Sequence, residues 1–144
     1  MDWKDIGRSC ACYNIRKAAR AVTQFYDAAL RPSGLRLNQF SILMSLKVLG
    51  PSSLGALAEA TVTDRTTMTR NLRPLEKQGF VRSEPGADPR SRRIVLTDVG
   101  ASAVEAAVPL WEETQKAVKG SVGDVQIESL LSTLRDIVRL TRRR

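Results

Sequence analysis

The stretch TVTDRTTMTRNLRPLEKQGFVRSEPGADPRSRRIVLTDVG, residues 61–100, decides how this chain is read. It opens with hydrogen-bonding side chains at a helix start, Thr63, Asp64, Arg65, Thr66 and Thr67. An amphipathic run follows, with Met68, Leu72 and Leu75 on one face and Arg65, Thr69, Arg70 and Arg73 elsewhere around the helix. Gly79 is the expected stop, because glycine enters the left-handed conformation that closes helices. Phe80 to Glu84 reads as a short strand, Pro85-Gly86 as the start of a turn, and Ile94 to Leu96 as a second strand. Between the strands lie Asp88, Arg90, Ser91, Arg92 and Arg93. A helix followed by a hairpin with a basic tip is the layout of a winged helix-turn-helix.

A basic hairpin beside a helix can be a merely solvated surface, so charge alone does not decide the matter. Two features do more. The exposed residues at the helix start are short hydrogen-bonders and arginines, the types that reach phosphates and base edges in a major groove. The second basic cluster sits on a turn, where a structural role for three arginines is hard to find. Thr63, Asp64, Arg65, Thr66, Thr67, Thr69, Arg70 and Arg73 on the helix, with Arg90, Ser91 and Arg92 on the wing, are therefore the candidate contacts to double-stranded DNA.

Outward from this stretch, residues 8–31 have a broad apolar stripe at helical spacing, from Ile15 through Val22, Phe25 and Tyr26 to Leu30, stopped by Pro32-Ser33-Gly34. Asn38 is the expected N-cap of a helix carrying Phe40, Leu43, Met44 and Val48. Ser52 or Ser53 caps a short helix, Leu54 to Ala60, which pairs with the Thr63 helix as a helix-turn-helix. Pro74 lies inside the second of these and is expected to bend it rather than end it. Thr97 caps a long helix with Val104, Val108, Trp111 and Val118 inward, bent at Pro109. Residues 120–124 form a break, and Asp124 caps a last helix with a stripe of Ile127, Leu130, Leu131, Leu134, Ile137 and Val138 before the Arg142-Arg143-Arg144 tail.

The predicted fold is mainly α with a small β-hairpin wing. A single domain over 1–144 would hold its winged-helix DNA-binding part at 35–97. The flanking helices, 1–34 and 98–144, have apolar faces too wide to bury in one short chain. A two-fold dimer built from them buries those faces and sets two readers about one DNA turn (~34 Å) apart, as a palindromic operator requires.

Composition bounds the function. The formal net charge is +8 in 144 residues, with eight Lys/Arg against four Asp/Glu over residues 62–93 and seven of each over 98–144. Such an excess favours an anionic partner, nucleic acid first and membrane surface second. The basic residues lie on a turn and a helix start rather than along one amphipathic face, which disfavours the membrane. No apolar run approaches the ~20 residues that span a bilayer, and the first residues lack a signal-peptide core, so a cytoplasmic protein is expected. There is no histidine, no glycine-rich phosphate loop and no nucleophile-base pair, so an enzyme is not expected, nor any metal or other cofactor. Cys10 and Cys12 are the only cysteines, too few for a closed zinc site.

At the wing the sequence resembles the MarR family of bacterial transcriptional regulators. Asp88-Pro89-Arg90, five further residues, then Leu96-Thr97-Asp98-Val99-Gly100 reproduce the family's D-x-R-x5-L-T-x-x-G signature. The resemblance implies a dimeric repressor, less often an activator, whose DNA affinity changes with a small-molecule effector or an oxidant. It implies that Arg90 enters a minor groove, that Asp88 stabilises the wing, and that the Thr63–Arg73 helix lies in the major groove. A narrow minor groove suits a guanidinium on physical grounds as well. In the family's peroxide-sensing branch a reactive cysteine near the start of the first helix is followed fourteen residues later by a tyrosine. Cys12 and Tyr26 have that spacing, and Arg16, one turn on, would stabilise a thiolate. On one helix the pair would be ~21 Å apart, so they would meet only across a dimer. Arg16 also replaces a second tyrosine of that branch, and Cys10 is an addition. A thiol-based repressor sensing oxidants through Cys12, and a non-specific nucleoid-type protein, are the alternatives to a ligand-released repressor.

Overall fold

Seven helices and a three-stranded sheet make up the chain in the computed structural model, which describes residues 3–142. Arg143 and Arg144 of the basic tail lie outside the described residues. The order is α1 (Trp3–Ser9), α2 (Ala11–Leu30), a 3₁₀ turn (Arg31–Ser33), α3 (Leu37–Leu49), β1 (Ser52–Ser53), α4 (Leu54–Ala60), α5 (Arg65–Lys77), β2 (Val81–Pro85), β3 (Arg92–Leu96), α6 (Asp98–Val122) and α7 (Asp124–Arg142).

The single helix expected over 8–31 is two. Cys10 is extended (φ −71°, ψ 107°), and its Sγ accepts the Tyr13 N–H at 3.4 Å. The Asn14 amide is directed back across the break at the carbonyls of Gly7 (3.1 Å) and Cys10 (2.9 Å), covering acceptors that a helix end leaves open. Asn38 does not cap α3. Arg36 holds that position, its N–H donating to Gln39 Oε1 at 3.0 Å, while the next N–H, of Leu37, donates to the Asp27 carboxylate at 2.6 Å. A side chain ten residues upstream thus joins α2 to the start of α3.

Ser53 caps α4, accepting the Ala56 N–H at 3.1 Å. Ser52 and Ser53 also pair antiparallel with Ile94 and Arg93, which adds a third strand to the expected hairpin in the order β1-β3-β2. α5 runs through Pro74 to Lys77, so the proline does not end it. It closes at Gly79 (φ +74°), where the Phe80 N–H returns to the Leu75 carbonyl at 2.9 Å. α6 likewise passes through Pro109. The break after it is the single residue Gly123 (φ +103°), and Asp124 is the first residue of α7 rather than its cap.

Packing follows the expected faces in α4 and α5, where Leu57, Met68, Leu72 and Leu75 are buried. In α3 the buried set is Phe40, Ile42, Leu43 and Leu46, and Met44 and Val48 are exposed. The reason is that α3 is covered by neighbours on more than one side, α2, α4, α5, α6 and β3 all touching it. Met44 and Val48 instead border an open apolar groove of about 410 Å³ against Trp111, whose ring stacks on Phe40. In α7 only Ile127 is buried; Leu130, Leu131 and Val138 are exposed, as are Val22 and Phe25 of α2.

The base of the wing is fixed by Thr97 and Gly100. Thr97 Oγ1 donates to the Gly79 carbonyl (2.6 Å) and accepts the Gly100 N–H (3.0 Å). A Cβ on Gly100 would stand 2.1 Å from the Phe80 carbonyl oxygen, which is backbone and has nowhere to go. Gly100→Ala should therefore destabilise the fold by about 1–3 kcal/mol, the usual range for overpacking. Urea denaturation measures this, and a midpoint equal to wild type would show that α6 can shift freely from the sheet.

Candidate nucleic-acid interface

The reader starts at Asp64, one residue later than Thr63 suggested. Asp64 Oδ1 accepts the Thr67 N–H (2.8 Å) and Oδ2 accepts the Thr67 hydroxyl (2.6 Å). The hydroxyl bond foremost, then the backbone bond, holds the Asp64 carboxyl below the usual carboxylate range. Asp64 and Thr67 are thus occupied with each other as a helix cap. Thr63 lies before the helix in the turn, its hydroxyl directed at the Thr61 carbonyl (3.3 Å). Arg65 lies over Gly55 of α4, where a Cβ would come within 2.7 Å of its Nη2.

The remaining candidates on α5 fall on one face. Thr66, Thr69, Arg70 and Arg73, at spacing i, i+3, i+4, i+7, line a shallow groove of about 290 Å³. The Thr69 hydroxyl donates to the Arg65 carbonyl at 2.9 Å and keeps its lone pairs outward. Among the described residues the guanidinium groups of Arg70 and Arg73 make no hydrogen bond or ion pair.

In the wing, strand pairing ends at Pro85 with Arg92. Across the tip the Gly86 N–H donates to the Ser91 carbonyl (2.9 Å), and both the N–H (2.9 Å) and the hydroxyl (2.8 Å) of Ser91 donate to the Asp88 carbonyl. The Asp88 carboxylate accepts the Arg90 N–H at 2.9 Å. Asp88 makes no ion pair among the described residues; its carboxylate is turned inward to the loop backbone, which is how it holds the wing tip. Ser91 is likewise spent on the turn. Arg92 folds across the hairpin, Nε donating to Ser83 Oγ (2.8 Å) and Nη2 to the Ser83 carbonyl (3.1 Å). Arg82 and Arg93 share Glu84, at 3.3 and 3.9 Å. Among the described residues Arg90 is the wing arginine whose guanidinium has no partner.

The geometry therefore divides the predicted set. Thr66, Arg70, Arg73 and Arg90 are exposed and uncommitted, while Asp64, Thr67, Ser91 and Arg92 build the local structure that presents them. Ser83, Glu84 and Asp27 were not singled out from the sequence. Ser83 and Asp27 meet partners nine and ten residues away, and Glu84 joins Arg82, two residues before it, to Arg93, nine residues on across the hairpin.

Cys10 and Cys12 are free thiols, the first half-buried and the second exposed. Tyr26 is buried, and its hydroxyl donates to Gln115 Oε1 of α6 in the same chain. Burial pushes its phenol pKa up. Within the protomer the Tyr26 hydroxyl proton is thus engaged with Gln115.

No helix among the described residues is long and apolar enough to cross a membrane. The model of the MarR family matches residues 35–95, from the start of α3 to the end of the wing. A structure of the transcriptional regulator MosR of M. tuberculosis in complex with DNA is 43% identical, covers 93% of this chain and 99% of MosR, and superposes with a TM-score of 0.81. The transcriptional repressor NicR of Pseudomonas putida is 28% identical over 125 residues, 86% of this chain and 79% of NicR. YwoH of Bacillus subtilis, an uncharacterised HTH-type transcriptional regulator, is 31% identical over 85 residues, 59% of this chain and 62% of YwoH. With the three-stranded wing, the helix-turn-helix pair and this similarity together, the chain belongs to the MarR family of winged helix-turn-helix transcriptional regulators.

Proposed function

We propose that the protein is a dimeric, sequence-specific DNA-binding regulator, a repressor that leaves its operator when it binds a small ligand. The observation that carries this reading is the set of uncommitted arginines: Arg70 and Arg73 on the outer face of α5, and Arg90 at the wing tip. In it, α5 lies in a major groove with Thr66, Thr69 and Arg70 near base edges, and Arg90 reaches the adjacent minor groove. Residues 35–97 form the reader, and 1–34 with 98–144 form the dimer through the exposed faces of α2 and α7. The MosR complex with DNA supports the partner, and the name of NicR as a repressor supports the sign of regulation. The site of action is the cytoplasm, where the operator is.

A footprint on the DNA flanking the coding region supplies the operator, and affinities for it and for random duplex are compared at one salt concentration. Specific binding should exceed random binding by about 1,000-fold or more. Equal affinities would replace the regulator by a nucleoid-type protein. Arg90→Ala should weaken operator binding by about 1–3 kcal/mol and reduce its salt dependence. Unchanged affinity in a folded dimer would remove Arg90 from the interface.

A further inference from the structure

Gly55 is the second residue of α4, and its backbone is helical, so no turn or positive φ calls for glycine there. Alanine is the better helix former at such a position. What sets Gly55 apart is its neighbour. A Cβ there would stand 2.7 Å from Nη2 of Arg65, 3.4 Å from its Cζ and 3.6 Å from its Nε. The guanidinium therefore lies across the bare Cα, and Nη2 would fall well inside van der Waals contact (~3.5 Å) with an added methyl. At Gly100 the obstacle is backbone, whereas at Gly55 it is the far end of a long side chain. A methyl at Gly55 thus moves Arg65 and leaves the fold alone.

Arg65 is the first residue of α5 and is exposed. Among the described residues its guanidinium makes no hydrogen bond or ion pair. It is held by shape alone, laid from the start of one helix over the first turn of the other. Thr69, one turn later on the same side of α5, belongs to the groove lined by Thr66, Arg70 and Arg73. Arg65 thus borders that groove on the side of α4.

We propose that Gly55 is a positioning residue for DNA binding, whose bare Cα seats the Arg65 guanidinium over α4 so that it clamps a backbone phosphate in each half-site. The proposal rests on the DNA-binding reading above and deepens it. In a helix-turn-helix the first helix crosses the DNA backbone while the second enters the groove. A cation that leaves the second helix to lie on the first is thereby carried from base edges to phosphates. The planar guanidinium presents two parallel N–H groups to phosphate oxygens. Already laid down before binding, it has less rotamer freedom to lose on contact. Such a clamp sets the register of α5 in the groove and carries no sequence information itself.

The test is a double-mutant cycle in the full chain, with Gly55→Ala, Arg65→Ala and the two combined. Operator titration at several salt concentrations and urea denaturation read each protein. Arg65→Ala should reduce the salt slope by about two, for one phosphate per half-site. Gly55→Ala should weaken operator binding about tenfold, as when a charge-assisted hydrogen bond is lost. Its urea midpoint should equal or exceed that of wild type, because alanine suits the helix better. In the Arg65→Ala background the glycine substitution should change affinity by less than about twofold, since the group it displaces is gone. The loss should be alike on operators substituted one base pair at a time. Wild-type affinity in Gly55→Ala would overturn the proposal, and so would a tenfold loss that persists without Arg65. A lowered urea midpoint would make Gly55 a packing residue, and a loss confined to one base position would make Arg65 a base reader; either result overturns it too. Failure of the regulator reading is a separate outcome, in which wild type binds operator and random duplex alike and the cycle is read on either DNA.

Discussion

Leu131→Asp should give a folded monomer that no longer holds a palindromic operator. Leu131 is 43% exposed in the isolated chain, so a carboxylate there remains hydrated and the protomer keeps its fold. Its neighbours on the same helix, Leu130 and Val138, are exposed too, and across the chain so are Val22 and Phe25. An exposed apolar area of this kind, spread over two helices, is what an isologous interface buries. Within that interface an unpaired carboxylate costs several kcal/mol and counts twice by symmetry. Once the dimer is lost, each reader binds its half-site alone, and the gain from tethering two readers, about 100-fold or more, disappears. Sedimentation and operator titration of the same sample measure both effects. A dimer of normal stability with normal operator affinity would place the interface on other faces.

The reader was legible because its signals are local. Gly79 closes α5, Thr97 caps α6, and the D-x-R turn precedes β3, each within a few residues of its partner. The places where expectation and structure part are those where the partner is remote or the residue type is unusual for its role. Cys10 ends one helix and caps the next, although a thiol is a weak acceptor and carries no cap signal; the break is made visible only by Asn14 reaching back to Gly7. Arg36 occupies the cap position of α3 because Asp27, on another helix, supplies the acceptor. The strand at Ser52–Ser53 is two residues long and has no alternation to read.

The candidate contact residues divide in the same way. The sequence yields a basic wing and a basic helix, but it cannot say which arginines are already engaged. By sequence Arg92 stands among the candidate contacts beside Arg90, but Ser83, across the hairpin, holds its guanidinium. Glu84 does the same for Arg82 and Arg93. An arginine held by its own fold loses those hydrogen bonds if it turns to DNA, so the uncommitted ones start with the advantage.

That advantage is greatest at Arg70. It lies in the second turn of α5, between Thr66 and Arg73 on the exposed face, and no carboxylate among the described residues competes for it. A guanidinium in a major groove pairs best with guanine, bonding O6 and N7 together, and each such pair discriminates by about 1–3 kcal/mol. Two half-sites double the effect, so Arg70→Ala should weaken operator binding by about 2–6 kcal/mol. The change should be concentrated at one symmetric pair of base positions. Arg73, one turn further from the helix N-terminus, serves as the comparison: a phosphate contact there lowers affinity on every sequence alike and reduces the salt slope. Binding to a set of operators substituted one base pair at a time separates the two roles. Loss of preference at one position in Arg70→Ala, retained in Arg73→Ala, assigns base reading to Arg70. Uniform weakening in both variants would make Arg70 a phosphate clamp and move specificity to Thr66 and Thr69, the groove's other two residues.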